Sequence, residues 1–170
     1  MTMNLKDGDI EFRPTVEADI EKVILIENDD SNRRLIRQWM HQEHAAAIAS
    51  SNIAHFIIRK ISDKEIVGHT ILIGVDNNDH CLEFRRIAIM QKGNGYGRSA
   101  VRLIKKYAFE QIKFHRLWLE VLEHNTPAFN LYESEGFVRE GLHREAKRDG
   151  EHYLSLIVMS MLAQEYFGNS

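Results

Sequence analysis

Two short runs carry residue types and spacings suited to chemistry. The first is Lys92-Gly93-Asn94-Gly95-Tyr96-Gly97-Arg98, which follows the apolar run Ile87-Ala88-Ile89-Met90 and opens a stretch with helical periodicity. Glycines at alternate positions let a chain turn through positive φ without a Cβ clash. The helix that follows would direct unpaired backbone N–H groups at an anion, and Lys92 and Arg98 would add positive charge at the same end. That combination describes a diphosphate cradle. A plain strand-to-helix turn with surface basic residues fits the glycine spacing equally. The run lacks the Gly-Lys-Ser/Thr ending of a P-loop, and it comes after several strands that read as antiparallel, which disfavours a Rossmann-type site.

The second run is Asn125-Thr126-Pro127-Ala128-Phe129-Asn130-Leu131-Tyr132-Glu133-Ser134-Glu135-Gly136-Phe137. Asn125 stands at the end of a strand pattern, suited to fixing a turn or starting a helix. Pro127 takes a natural first helical position, and Gly136 supplies an end. Tyr132 falls inside that short helix, where its ring could simply pack. Elsewhere, Glu83, Arg85 and Arg86 interrupt an apolar strand; in a regular strand Glu83 and Arg85 share one side and Arg86 takes the other. Nine histidines are present, but His41 and His44 stand three apart with no carboxylate set to complete a ligand shell, and His115, His124, His143 and His152 are dispersed. No metal is expected from that pattern.

The elements that must position these residues read as a mixed α/β chain. Ile10 to Arg13 forms a short strand stopped by Pro14. Thr15 caps a helix to about Ile26, with Glu17 and Asp19 well placed in its first turns. A second helical region spans about Asn32 to Ser50, with Leu35, Ile36, Trp39 and Met40 as its apolar face. Strands follow at His55 to Lys60, Ile66 to Val75 and Cys81 to Ile89, joined by polar turns that favour antiparallel neighbours. A helix from about Arg98 to Gln111 buries Val101, Ile104 and Ala108. Arg116 to Glu123 is a further strand, and Phe137 to Gly141 and His152 to Met161 close the fold.

At 170 residues the chain fits a single domain spanning 1–170, and 44% hydrophobic residues exclude a disordered polypeptide. A net charge of -3 gives no general attraction to nucleic acid. Cys81 is the only cysteine, so no internal disulfide forms, and its apolar neighbours suggest packing rather than a nucleophile. The stretch Met1 to Asp9 lacks the apolar core of a signal peptide, and no segment is long enough to span a membrane. Neither a membrane nor a nucleic acid is expected as a partner, and the expected address is cytoplasmic.

Together the two runs, extended by Arg139-Glu140-Gly141, resemble the GNAT superfamily of N-acyltransferases, in particular the branch of ribosomal-protein N-terminal and polyamine acetyltransferases. The first run matches that family's Arg/Gln-x-x-Gly-x-Gly/Ala loop, with Lys92 in place of the usual first residue: the charge is kept, the guanidinium fork is not. The resemblance covers nearly the whole chain, and its specificity lies between Glu83 and Gly141. It implies a central, mostly antiparallel, splayed sheet flanked by helices, acetyl-CoA as cofactor with CoA as product, and transfer to an amine. By the same resemblance, the backbones of Ile87 and Ile89 and the side chain of Asn125 hold the pantetheine arm. The N–H groups around Lys92, Gly93, Gly95, Gly97 and Arg98 hold the diphosphate. Tyr132 protonates the departing thiolate and Glu83 accepts the amine proton through water, the alternative for Glu83 being an ion pair with Arg85.

The resemblance places the acceptor groove between the early helices and the later strands, near Glu27, Asp29, Asp30, Trp39, Glu43 and His44. The acceptor is left open among a polyamine, another small amine and a protein N-terminus. His152-Tyr153-Leu154-Ser155 departs from the Tyr-x-Asp pattern of the ribosomal-protein branch. A homodimer through the closing strands is also implied. The alternative from a different class is an acyl-CoA-binding regulator without turnover.

Overall fold

The computed structural model describes residues 5–168. Its strands are β1 (Lys6–Asp7), β2 (Ile10–Pro14), β3 (Ile53–Lys60), β4 (Ile66–Ile73), β5 (Cys81–Ile89), β6 (Arg116–Leu122), β7 (Val138–Asp149) and β8 (His152–Leu162), and its helices are α1 (Ile20–Asn28), α2 (His41–Ala49), α3 (Tyr96–Lys106), α4 (Thr126–Ser134) and α5 (Ala163–Gly168). The strands form one mixed sheet in the order β1-β2-β3-β4-β5-β6-β8-β7. Every neighbouring pair is antiparallel except β5 and β6, which run parallel. This is the α/β architecture, with a mixed, mostly antiparallel sheet between helices, that the sequence implies.

Strand alternation decides which helix covers which face. Along β3, Ala54, Phe56 and Ile58 enter the apolar core built on Val101, Leu103 and Ile104 of α3. His55, between them, turns the other way and meets His44 of α2. Val101, Ile104 and Ala108 are fully buried, as their spacing in the sequence requires. After α3 the chain continues through one wider turn, Tyr107 to Gln111, closed by Ile112 N donating to Tyr107 O at 3.0 Å.

The parallel pair is short. β5 and β6 are in register only over Cys81↔Arg116, Leu82↔Leu117 and Glu83↔Trp118. Beyond Glu83 the two strands part, while each stays paired on its far side, β5 to β4 and β6 to β8. The sheet therefore opens into a wedge, and that wedge positions the site.

Several sequence expectations are corrected. Thr15 does not cap α1: the Asp19 carboxylate accepts from Val16 N at 2.8 Å, and Thr15 Oγ1 pairs with His55 Nδ1 at 2.8 Å. The helix expected from Asn32 to Ser50 is only α2. Residues 29–40 form turns and an extended stretch, because Asn32 Nδ2 ties down the carbonyls of Ile26 and Ile89 (2.9 and 3.1 Å) and Trp39 N donates to Glu27 Oε2 at 3.0 Å. These tertiary bonds outcompete a helical pattern with no cap of its own. Cys81 is half-buried rather than fully packed. The closing strand expected over Phe137 to Gly141 continues to Asp149 as β7, whereas β8 stands where His152 to Met161 was expected, and the two form a hairpin that turns at Gly150.

Candidate active site

The wedge is a cleft of about 1380 Å³. All ten residues given a catalytic or cofactor role in the sequence line it: Glu83, Ile87 and Ile89 on β5, Lys92, Gly93, Gly95, Gly97 and Arg98 in the turn and the start of α3, and Asn125 and Tyr132 at α4.

Backbone geometry gives the β5 wall its chemistry. Met90 N donates to Val67 O at 2.9 Å. In an antiparallel ladder hydrogen-bonded pairs alternate, so Ala88 and Arg86 exchange bonds with β4, whereas Ile87 and Ile89 turn their N–H and C=O toward the opening. The Ile89 carbonyl is already taken by Asn32. What remains on this edge is a row of main-chain groups without a neighbouring strand.

At the end of β5 the chain turns through Gly93 (φ 88°) and Gly95 (φ 78°), the latter capping α3. Both glycines face open space: a Cβ built on either would meet nothing within 4 Å. The first hydrogen bond of α3 is Ser99 N to Gly95 O at 3.1 Å, so the N–H groups of Tyr96, Gly97 and Arg98 have no acceptor within the helix. Free N–H groups, a helix N-terminus and open space in front of them fit a diphosphate. Gly97 has an ordinary helical φ, and a Cβ there would only touch Leu131 at 3.7 Å.

The basic side chains of this turn are engaged elsewhere. Lys92 Nζ donates to Ser31 O at 2.6 Å, and its burial lowers the ammonium pKa against the pull of Asp29. Arg98 bonds Ser134 Oγ at 3.0 Å and Glu135 Oε1 at 2.6 Å. Glu135 is buried and also binds Lys105 (3.0 Å) and Arg102 (3.3 Å), clamping α3 to the end of α4. Burial would raise the Glu135 carboxyl; its three cations hold it below the usual range. The side chains of Arg98, Arg102 and Lys105 on α3 thus all serve this clamp.

Asn125 caps α4, its Oδ1 accepting from Ala128 N at 3.4 Å. The helix thus started carries Tyr132 between Phe84 and Phe137, with ring centroids 5.6 and 5.9 Å away. Tyr132 is 8% exposed, its hydroxyl makes no hydrogen bond among the described residues, and burial raises its pKa. The phenol therefore keeps its proton at neutral pH.

On β5, Arg85 is an extra residue: Ile71 and Leu72 of β4 are consecutive, but their partners are Arg86 and Phe84. This bulge resets the alternation. Phe84 joins the core under α3, while Arg86 turns to the opposite face and reaches Glu27 of α1. The alternation expected for Glu83, Arg85 and Arg86 in a regular strand is thus broken at Arg85. Arg85 folds back on Glu83 in a fork, Nε to Oε1 at 2.7 Å and Nη2 to Oε2 at 2.9 Å. Burial raises the Glu83 pKa, and Arg85 partly opposes it.

Behind the cleft lies a buried polar cluster that the sequence reading did not assemble. Arg86 Nη1 bonds Glu27 Oε1 at 2.6 Å, and the Trp39 ring covers the guanidinium at 4.5 Å. His44 and His55 share a 3.1 Å bond. His69 Nε2 lies 3.1 Å from Glu27 Oε1 and His44 Nε2 lies 3.5 Å from Oε2, within ion-pair range but off the hydrogen-bond direction. Burial alone would raise the Glu27 carboxyl; the two histidines and Arg86 hold it well below the usual range.

Glu27 and His44, expected at the acceptor groove, are fully buried, whereas Trp39 and Glu43 do line the cleft. Asp29 and Asp30 do not; they bind Ser31 and Arg33. The cluster's traces in the sequence are His55, His69 and Arg86, each a polar residue inside an apolar strand. No three of His, Cys, Asp or Glu among the described residues are arranged to hold a metal ion.

Residues 9–138, well over half of the chain, match the acetyltransferase (GNAT) domain model. The chain belongs to the GNAT acetyltransferase family. Among its relatives, a spermidine N(1)-acetyltransferase from Vibrio cholerae is 25% identical over 156 residues, which is 85% of this chain and 90% of the relative. A probable N-acetyltransferase from Bacillus subtilis is 31% identical over 93 residues, 54% of this chain and 51% of the relative. The crystal structure of the V. cholerae spermidine N-acetyltransferase in complex with CoA and spermine superposes with a TM-score of 0.84 at 22% identity, covering 95% of this chain and 99% of that one. A dodecameric form of the V. cholerae protein gives 0.82 at 23% identity, covering 96% and 99%.

Proposed function

We propose that this GNAT protein transfers the acetyl group of acetyl-CoA to a primary amine by direct attack, without a covalent acyl-enzyme. The observation that carries the reading is the opening of β5 from β6 beyond Glu83, with unpaired main-chain groups at Ile87 and Ile89 leading to the bare N-terminus of α3. Acetyl-CoA supplies an activated carbonyl and a thiolate leaving group. The β5 edge holds the extended arm in place of a missing strand, with Asn125 fixing the opposite wall. The N–H groups of the Gly93–Arg98 turn take the diphosphate.

An N–H at Ile89 polarises the carbonyl as negative charge develops on its oxygen. Glu83 accepts the amine proton through a water; Arg85 occupies one lone pair on each carboxylate oxygen and leaves others free. The raised pKa of Glu83 moves it toward the range in which a base works best. Tyr132, neutral and without a competing partner, gives its proton to the departing sulfur. Cys81 has no part in this scheme.

The test is release of CoA from acetyl-CoA against a panel of amines, read by product mass. Polyamines enter that panel through the V. cholerae relative, beside other small amines and peptide N-termini. The expected result is amine-dependent CoA release with an acetylated product. Tight CoA binding without transfer to any amine would instead establish a binding regulator, and failure to bind CoA would overturn both.

A further inference from the structure

The charged groups lining the cleft differ in whether their charge is already matched. On the side of Trp39, Glu83 is forked by Arg85, and Glu120 Oε1 lies 2.8 Å from His143 Nδ1. Glu43 accepts from Met40 N at 2.8 Å and faces Arg37 at 3.7 Å. Arg86 is bound to Glu27, and toward the turn Lys92 and Arg98 are held by Ser31 and Glu135. Lys147 is the charged residue of the lining whose side chain makes no hydrogen bond and has no carboxylate within ion-pair distance among the described residues; Asp149 acts on it only from farther away.

Its placement is built into the fold. β7 and β8 pair in register to His143↔Leu156 and resume at Lys147↔Leu154, so Arg144, Glu145 and Ala146 bulge opposite Ser155 alone. Glu145 takes φ 52° and its N–H is held by Ser155 Oγ at 3.1 Å. A non-glycine residue seldom adopts that region, and the bulge brings Ala146 and Lys147 to the cleft. The ammonium is half-buried, and its pKa is lowered first by that burial; Asp149 favours its charge and Arg86 opposes it.

From this arrangement, and resting on the acetyl-transfer reading above, we infer that the acceptor is a primary amine that also carries a carboxylate, which Lys147 receives. A polyamine would need unmatched carboxylates along the acceptor side. Here Glu83 and Glu43 face arginines and Glu120 faces His143, whereas the Lys147 ammonium has no carboxylate within ion-pair distance among the described residues. A carboxylate arriving at Lys147 completes an ion pair in a place shielded enough for the pair to favour binding.

The experiment compares ω-amino acids, alkylamines and α,ω-diamines of matched chain length, from propyl to hexyl, as acceptors for wild type, K147A and K147E. Wild type is expected to favour the best amino acid over its alkylamine in kcat/KM by about tenfold or more, chiefly through KM. K147A reduces that ratio to within about twofold, and K147E favours diamines over amino acids. Unchanged melting of both variants separates charge from folding. Wild-type preference for diamines, or an amino-acid preference that survives in K147A, overturns the inference while leaving acetyl transfer intact. A protein that binds acetyl-CoA and acetylates no member of any series overturns both.

Discussion

Replacement of Gly95 by alanine separates the two things this residue does. Gly95 sits at φ 78° with open space where a Cβ would go, so the side chain meets no protein atom and only backbone strain opposes it. A left-handed conformation costs an L-residue about 1–2 kcal/mol. For a chain of this length about 1 kcal/mol corresponds to roughly 2–4 °C in Tm, so G95A should melt about 2–8 °C lower. Gly150, in the β7–β8 turn and outside the cleft, also combines positive φ (60°) with open space. G150A is therefore the matched control, with a similar loss of Tm.

The two variants part in CoA binding. The methyl group of G95A would occupy the space in front of the α3 N-terminus and displace a diphosphate from one or two N–H groups. Each charge-assisted bond is worth about 1.5–3 kcal/mol, and about 1.4 kcal/mol is tenfold in Kd. Titration calorimetry with CoA should show G95A weakened at least about tenfold and G150A unchanged. If both variants lose Tm alike and both keep the wild-type Kd within about twofold, the turn does not hold the diphosphate, and the cofactor geometry argued from it is wrong.

Tyr132→Phe should lower kcat by about 10²- to 10⁴-fold with little change in Tm, because the hydroxyl has no partner to lose; wild-type turnover would remove it as the acid. For Glu83, the carboxylate is the working form, so the rate should rise with pH through its raised pKa; Glu83→Gln should abolish that limb, and an identical profile in steady-state kinetics would remove it as the base. The buried cluster sets an acid limit on stability. His55, lowered from 6.5 to about 3 by burial and by His69 and His44, is neutral in the fold but protonates in the unfolded chain. Its stabilisation is complete above pH 6.5 and is lost as pH falls toward 3. Glu27, lowered from 4.5, adds a second loss below pH 4.5. Melting curves should therefore fall steadily on acidification from neutrality, and a Tm flat down to pH 4 would contradict the assigned charges.

How much was legible in the sequence divides by the range of the interactions. The glycine turn, the Asn125-Pro127 helix start, the apolar face of α3 and the strand cores each rest on neighbours within a few residues, and each stands close to where spacing puts it. The misplaced helix at 32–40 shows the limit. Leu35, Ile36, Trp39 and Met40 have helical spacing, but Asn32 and Glu27 bind that segment to β5 and α1 instead. The Arg85 bulge likewise leaves no mark in a period-two pattern, yet it decides that Arg86 meets Glu27 rather than the core.

The sequence by itself determined where the chain turns, which faces are apolar and which runs could face a phosphate, because backbone conformation and periodicity are local properties. Tertiary structure alone decided which charges are matched. Glu27, His44, His55, His69 and Arg86 come from five separate elements, Glu135 gathers three cations from another helix, and a bulge in β7 brings Lys147 to the cleft with no carboxylate within ion-pair distance among the described residues. Charge balance depends on distances across the fold, and those exist only once the sheet has brought remote residues together.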